Sequence, residues 1–148
     1  MRIYFIIIVL LSLFGCAATG GKYIEPKNLD NTNFSHITIY RTDVAYHSLN
    51  PENPFFYLDG KLVGKLGTGN SVTIKVAPGE HTLSSKESIL FMPGSESGKL
   101  KGKFEAGKKY YFRYSKEFAN VIPIGTGFIM SDSTTLQPAT KENFQEKK

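Results

Sequence analysis

The stretch SVTIKVAPGEHTLSS, residues 71–85, carries the clearest evidence for the fold. Val72, Ile74 and Val76 alternate with polar residues, which is the period of a strand with one buried face. The pair Pro78 and Gly79 follows and favours a turn, because Pro presets one dihedral angle and Gly accepts a positive φ. Residues 80–85 then resume as the next strand. The stretch therefore predicts two short strands joined by a turn.

Working outward from this stretch, the same pattern recurs along the chain. HITIYR (36–41), KLKGKF (99–104) and KKYYFRYS (108–115) alternate or are rich in aromatic residues, and FFYLDGKLVGKL (55–66) contains the turn dipeptide Asp59-Gly60. Residues 92–98 are predicted as a loop rich in Gly and Ser. Residues 118–130 are predicted as an irregular crossing followed by a strand near 128–130. Short strands between Gly and Pro turns indicate an all-β sandwich or barrel.

The N-terminus has the composition of a secretory signal. Arg2 is followed by an apolar run over residues 3–14, which is shorter than the ~20 residues that a membrane-spanning helix needs. The run ends at Leu13-Phe14-Gly15-Cys16, which resembles the bacterial lipobox and implies that Cys16 is acylated and becomes the mature N-terminus. Ala17 after it favours the outer membrane. Cys16 is the only cysteine, so it has no partner for a disulfide within the chain.

These observations divide the chain into four segments. Residues 1–15 are predicted as a lipoprotein signal peptide, and residues 16–34 as the lipidated N-terminus and a flexible tether. Residues 35–138 form the β-sandwich domain, and residues 139–148 form a polar tail with a short helix capped by Thr140. The net charge of the whole chain is +5. A basic balance is compatible with nucleic acid, but export argues against that partner and leaves anionic lipids or cell-wall polymers.

The segments ITIYR, FYLDGKLVGKL, VAPGEHTL and FEAGKKYYFRY occur in that order. Together they resemble the DUF2846 family of bacterial lipoproteins and secreted proteins, over residues 35–115. The hairpin followed by VAPGEHTL also resembles PEGA-type surface modules. The resemblance implies an antiparallel β-sandwich of the Ig-like or transthyretin-like kind. It carries over no catalytic residue.

The histidines, carboxylates and serines of the sequence do not form a catalytic or metal-binding motif. His36, His47 and His81 have no ligand spacing with one another, and His81 is expected to be a core histidine with satisfied hydrogen bonds. Asp59 and Glu80 are expected to have only structural roles in the turns where they lie. No Gly-x-Ser-x-Gly motif is present. We therefore expect no cofactor, no metal and no enzymatic activity.

The most suggestive feature is a stripe of Lys99, Lys101 and Lys103, which Arg113 could join across the sheet. Such a stripe can protect an edge strand, or it can bind an acidic partner such as lipid phosphate, a cell-wall polymer or an acidic protein. The sequence thus predicts a lipid-anchored, non-enzymatic accessory protein of the bacterial envelope. Two alternatives remain. A carbohydrate-binding module would expose a row of tyrosines from residues 110–114, and a hydrolase would place two polar residues in a cleft.

Overall fold

The computed structural model describes residues 20–27, 33–42, 53–124 and 127–146, with the backbone alone over 116–124 and 127–135. The predicted signal peptide, Cys16 and His47 lie outside the described residues. Within these described ranges the elements are eight strands and one short helix: β1 (Ser35–Arg41), β2 (Phe55–Leu58), β3 (Lys61–Lys65), β4 (Ser71–Val76), β5 (Gly79–Ile89), β6 (Met92–Phe104), β7 (Lys109–Ile124), β8 (Gly127–Ala139) and α1 (Lys141–Glu146).

The strands form two sheets of four, in the orders β4-β1-β7-β8 and β3-β2-β5-β6. All neighbouring strands are antiparallel except β1 and β7, which run parallel. Both sheets contribute to one buried cluster, so the predicted all-β sandwich is confirmed. Its buried members are Ile37, Ile39, Phe56, Leu58, Leu66, Ile74, Val76, Leu83, Phe104, Phe112, Tyr114 and Leu136.

The alternation in the sequence explains which faces are buried. Ile37 and Ile39 pair with Ile74 and Val72 across β1 and β4, and all four side chains pack in or against the core. On the opposite face of the same strands, the hydroxyl groups of Thr38 and Thr73 are 2.9 Å apart and share a hydrogen bond. The turn before Gly79 leads from β4 to β5, which lie in different sheets, so this turn crosses the sandwich.

The N-terminal segment lies along one side of the sandwich. The N–H groups of Tyr23 and Leu62 donate to the carbonyl groups of Leu62 and Gly21, each over 2.8 Å, beside β3. The Tyr23 hydroxyl donates to the Lys75 carbonyl of β4 over 2.7 Å. Tyr23 thus connects the edges of the two sheets, and residues 21–23 are held within the segment predicted as a flexible tether.

Two hairpins are longer than the sequence indicated. Residues 92–98, predicted as a loop, belong to β6 and pair with β5 up to Ile89↔Met92. Residues 118–130 were predicted as an irregular crossing followed by a strand near 128–130. The strand is confirmed as part of β8, but residues 118–124 are not irregular, because they belong to β7 and pair with β8 up to Ile124↔Gly127. Each hairpin also contains a shift in pairing register, between Ser85 and Ser88 of β5 and between Phe118 and Asn120 of β7.

Helix α1 begins after Thr140, as the sequence predicts for the tail. The Asn143 N–H donates to the Thr140 hydroxyl over 3.3 Å, which caps the first turn. Phe144 of α1 lies with its ring centroid 5.2 Å from that of Tyr40 and 5.6 Å from that of Tyr111. The helix therefore covers part of the outer face of the sheet that contains β1 and β7.

Candidate functional site

The three predicted lysines lie on the outer face of strand β6. Leu100 packs against the core and Phe104 is buried in it, so the alternating Lys99, Lys101 and Lys103 point outward and are exposed. Their partners on β5 are Ser84, Thr82 and Glu80, which share this face because directly opposite residues of an antiparallel pair do so. The stripe predicted from the sequence therefore exists.

Arg113 does not join this stripe. It lies on β7, in the sheet with order β4-β1-β7-β8, whereas the lysines lie on β6 in the other sheet. The turn after Phe104 carries the chain from one sheet to the other, so consecutive strands are not neighbours. Arg113 alternates with the buried Phe112 and Tyr114, and its guanidinium donates to Gln137 Oε1 over 3.2 Å. The prediction that it extends the lysine surface is therefore wrong.

Two further lysines share the outer face with the stripe. The Lys65 ammonium lies 4.3 Å from the centroid of the Phe55 ring, and the Lys86 ammonium lies 5.1 Å from that of Tyr57. Both distances fit cation–π contacts, which hold long side chains in place. Sequence reasoning missed these lysines because only the pairing Phe55↔Lys65 and Phe55↔Lys86 brings them to this face.

We call this surface the lysine face and define it by five residues: Lys65, Lys86, Lys99, Lys101 and Lys103. The acidic residues that register places on it are Glu80, opposite Lys103, and Glu96, opposite Lys86. Glu96 also pairs with Lys99 over 3.4 Å, with both side chains about half exposed. The face therefore carries an excess of three positive charges.

An open depression of about 510 Å³ lies where the stripe meets the start of β5. Its lining includes the exposed Lys101 and Lys103 together with Glu80 and His81. Gly102 alternates with the lysines and faces inward, where a side chain would contact the Phe104 ring at 3.5 Å. The depression offers two ammonium groups to an anionic ligand beside one carboxylate.

His81 is held on both sides by hydrogen bonds. Its Nδ1 lies 2.6 Å from Asp59 Oδ2 and its Nε2 lies 2.9 Å from the Ala77 carbonyl oxygen. Both partners are acceptors, so both bonds are made at once when both ring nitrogens carry a proton. The side chain is 18% exposed, which fits the expected core histidine with satisfied hydrogen bonds. In this arrangement neither nitrogen is available to a substrate.

Asp59 is the partner that fixes this histidine. Its Oδ1 accepts a hydrogen bond from the Thr82 N–H over 2.8 Å, so the carboxylate joins the β2–β3 turn to β5. Burial by itself would raise the pKa of Asp59. The hydrogen bonds from His81 and Thr82, with the charges of His81 and Lys61, outweigh burial and lower the pKa. The carboxylate thus stabilises the fold in its ionised form.

The tyrosines of β7 do not form an exposed row. Tyr114 is 2% exposed and its ring lies 5.3 Å from that of Phe56 in the core. Tyr110 packs edge-on against Phe104 at 4.9 Å, and its hydroxyl accepts a hydrogen bond from the Glu105 N–H. Tyr111 points to the other side, towards helix α1. These positions do not match the groove that a carbohydrate-binding module requires.

The described part of the chain contains neither a candidate metal site nor a candidate membrane-spanning helix. Among residues 20–27, 33–42, 53–124 and 127–146, no group of three His, Cys, Asp or Glu side chains is placed to hold a metal ion. Over the same ranges, no helix is long and apolar enough to cross a membrane.

Comparison with known proteins agrees with the resemblance to the DUF2846 family seen in the sequence. A search of curated proteins found no match. A family model described as "Protein of unknown function (DUF2846)" matches residues 31–127, which begin just before β1 and end at the start of β8. The match includes strands β1 to β7 and the whole lysine face. The chain therefore belongs to the DUF2846 family.

Proposed function

We propose that the protein is a lipid-anchored component of the bacterial envelope, with acyl chains on Cys16, and that its sandwich is a non-enzymatic binding or accessory domain. The lysine face carries this proposal. It has an excess of three positive charges, and it is continuous across β3, β2, β5 and β6.

The lysine face suits an acidic partner that is extended and flat. Three of its lysines stand in a row along β6, spaced by two residues, so that the Cα atoms of neighbouring lysines are about 7 Å apart along the strand. Lys65 and Lys86 are held over aromatic rings and lose less freedom on binding than free lysines would. The partner chemistry that fits is a repeated phosphate or carboxylate, with binding that weakens as salt increases.

The anchor is supported by the sequence at Cys16 and by the position of the segment that follows it. The lipobox-like residues 13–16 supply the acylation signal. Residues 21–23 are bonded to the edge of β3, so an anchor at Cys16 would hold the sandwich close to the membrane. Two or three acyl chains make such attachment effectively permanent.

The first test addresses the anchor. Cys16→Ser should abolish metabolic labelling by fatty acids and move the protein out of the membrane fraction. Cys16 is the only cysteine, so the substitution removes no other thiol. Labelling that persists in the variant would show that another residue is acylated and would contradict the anchor.

The second test addresses the lysine face. A photo-crosslinking amino acid at Lys101 should capture an acidic partner in intact cells, and substituting Lys99 and Lys103 by Ser should reduce that capture. The same probe at the exposed Gln145 of α1, on the opposite sheet, is the control. Equal capture from both positions, or capture unaffected by the two substitutions, would contradict a binding role for this face.

A further inference from the structure

The tip of the β5–β6 hairpin exposes four consecutive large apolar side chains. Ile89, Leu90, Phe91 and Met92 are 54%, 81%, 70% and 51% exposed. We call these residues the apolar tip. Exposed apolar side chains are ordinary when scattered, but a contiguous group marks a contact surface. The tip is small and projects from the sandwich, so it is suited to entering an apolar medium rather than to covering a broad partner.

The backbone of the apolar tip is unfavourable for these residues. Leu90 and Phe91 have φ angles of 49° and 65°. Such a two-residue turn favours Asn-Gly or Gly-Gly, because a side chain at positive φ approaches the following carbonyl group. Strain of this kind persists mainly where the side chains have a function outside the fold. The backbone strain at Leu90 and Phe91 is therefore evidence that their exposed side chains have a function.

The apolar tip lies at one definite end of the sandwich. The Lys65 ammonium at the end of β3 donates to the Phe91 carbonyl over 3.4 Å. At this same end, β1 stops at Arg41, whose N–H donates to the Asn70 carbonyl and whose guanidinium donates to the Leu66 carbonyl. The β7–β8 hairpin continues beyond β1 in this direction, and residues 118–131 within it contain no charged residue.

The proposed anchor leaves from the opposite end. Gly20 lies against the β2–β3 turn, since a Cβ on Gly20 would be 2.6 Å from the Gly60 carbonyl oxygen. Leu58, beside that turn, pairs with Leu83, so the seven further residues to Leu90 place the tip at most about 24 Å away along the strand. Cys16 is four residues before Gly20 and reaches about 14 Å at most.

These two lengths restrict how an anchored sandwich can meet its membrane. The tip and the acyl chains of Cys16 can enter the same leaflet only if the strand axis is strongly inclined, with one side of the sandwich turned to the bilayer. The lysine face contains β5 and β6, the strands that carry the tip. Its excess of positive charge would attract an anionic lipid surface.

We propose that the lysine face and the apolar tip dock together on the anionic phospholipid surface that holds the acyl chains of Cys16. Leu90 and Phe91 enter among the lipid acyl chains, while Lys65, Lys86 and the β6 lysines contact phosphate groups. A protein groove would accept one side of the hairpin, whereas lipid can surround a projecting turn from all sides. The inference rests on the proposed anchor and names the acidic partner of the lysine face.

The test uses the lipidated full-length protein in vesicles. When Cys16 is acylated, Leu90→Cys introduces the only free thiol, which is labelled with an environment-sensitive fluorophore. Vesicles contain phosphatidylglycerol or phosphatidylcholine, each with a quencher on the lipid acyl chains. We expect a blue shift and strong quenching at residue 90 in phosphatidylglycerol vesicles. We expect neither at the control Gln145→Cys. Lys99→Ser/Lys101→Ser/Lys103→Ser should remove the quenching at residue 90 without releasing the anchored protein.

The outcomes separate the two proposals. If the unsubstituted protein itself takes the thiol label, Cys16 is not acylated and the anchor and the docking geometry both fail. If it takes no label and residue 90 is unquenched, docking alone is overturned. Equal quenching in phosphatidylcholine vesicles, or quenching that survives the lysine substitutions, would show that the lysine face does not contribute to docking. If residue 90 is unquenched in vesicles but crosslinks to one protein in cells, the apolar tip binds a protein groove and lipid docking is overturned.

Discussion

Two hairpin turns in the same sheet each contain two consecutive residues with positive φ, but one turn is Asp-Gly and the other is Leu-Phe. The β2–β3 turn has positive φ at Asp59 (50°) and Gly60 (74°), and the β5–β6 turn has positive φ at Leu90 (49°) and Phe91 (65°). Each joins strands that pair directly on both sides of two residues. This conformation matches the twist of antiparallel strands and favours Asp-Gly or Asn-Gly. The first turn therefore follows the preference of the backbone, and the second opposes it.

The difference indicates which turn serves the fold. Asp59 accepts hydrogen bonds from His81 and from the Thr82 N–H, so its side chain stabilises the sheet to which it belongs. The side chains of Leu90 and Phe91 are 81% and 70% exposed and give little burial in return for their strained backbone. A turn that opposes local preference without a gain in packing is expected at a functional position.

The largest expected effect contrasts two leucines of the β5–β6 hairpin. Leu83 is fully buried and Leu90 is 81% exposed. Leu83→Ala should lower the free energy of unfolding by about 3 kcal/mol, since it removes buried methyl groups and leaves a cavity. Leu90→Ala should change it by less than about 0.5 kcal/mol. Urea denaturation of both variants measures this, and similar losses would show that the tip is part of the core.

Exchanging the turn residues is the next prediction. Leu90→Asn/Phe91→Gly should raise the free energy of unfolding by about 1 kcal/mol, because it relieves side-chain strain at positive φ. Asp59→Leu/Gly60→Phe should lower it by about 2 kcal/mol, because it introduces that strain and removes the hydrogen bonds of Asp59. Thermal unfolding of both variants is the measurement. A loss of stability in the first exchange would mean that the apolar tip stabilises the fold.

Strand patterns in the sequence predicted the sandwich because a buried face enforces strict alternation. Residues 71–76 show this, since Ile74 and Val76 are buried and Val72 packs against the core. Residues 92–98 of β6 include no fully buried residue and show no apolar alternation, so Gly94 and Gly98 were predicted as loop residues although they lie in β6. Gly98 is required there, because a Cβ would be 3.0 Å from the Leu136 Cβ of β8.

The lysine stripe could be predicted because its three lysines alternate along a single strand. The rest of the lysine face could not, because it depends on which strands are neighbours. Lys65 and Lys86 reach the face only through their pairing with Phe55, and Arg113 leaves it because β7 belongs to the other sheet. The positive φ angles of Leu90 and Phe91 also escaped prediction, since turn rules assign such angles to Gly and Asn.

The smallest expected effect is a pH dependence confined to the polar turn. The folded-state pKa of Asp59 is lowered, so its stabilising contribution is present above the unfolded pKa and is lost as the pH falls through the folded pKa. Asp59 is 45% exposed, so we expect Asp59→Asn to lower the free energy of unfolding by only about 0.5 kcal/mol at pH 7. Below about pH 4, the pKa of an unperturbed Asp, this difference should shrink.

Urea denaturation between pH 7 and pH 3 measures it, with Leu90→Asn/Phe91→Gly as the control, because residues 89–92 contain no titratable side chain. A difference for Asp59→Asn that stays constant to pH 3 would show that the ionised carboxylate is not what stabilises this turn.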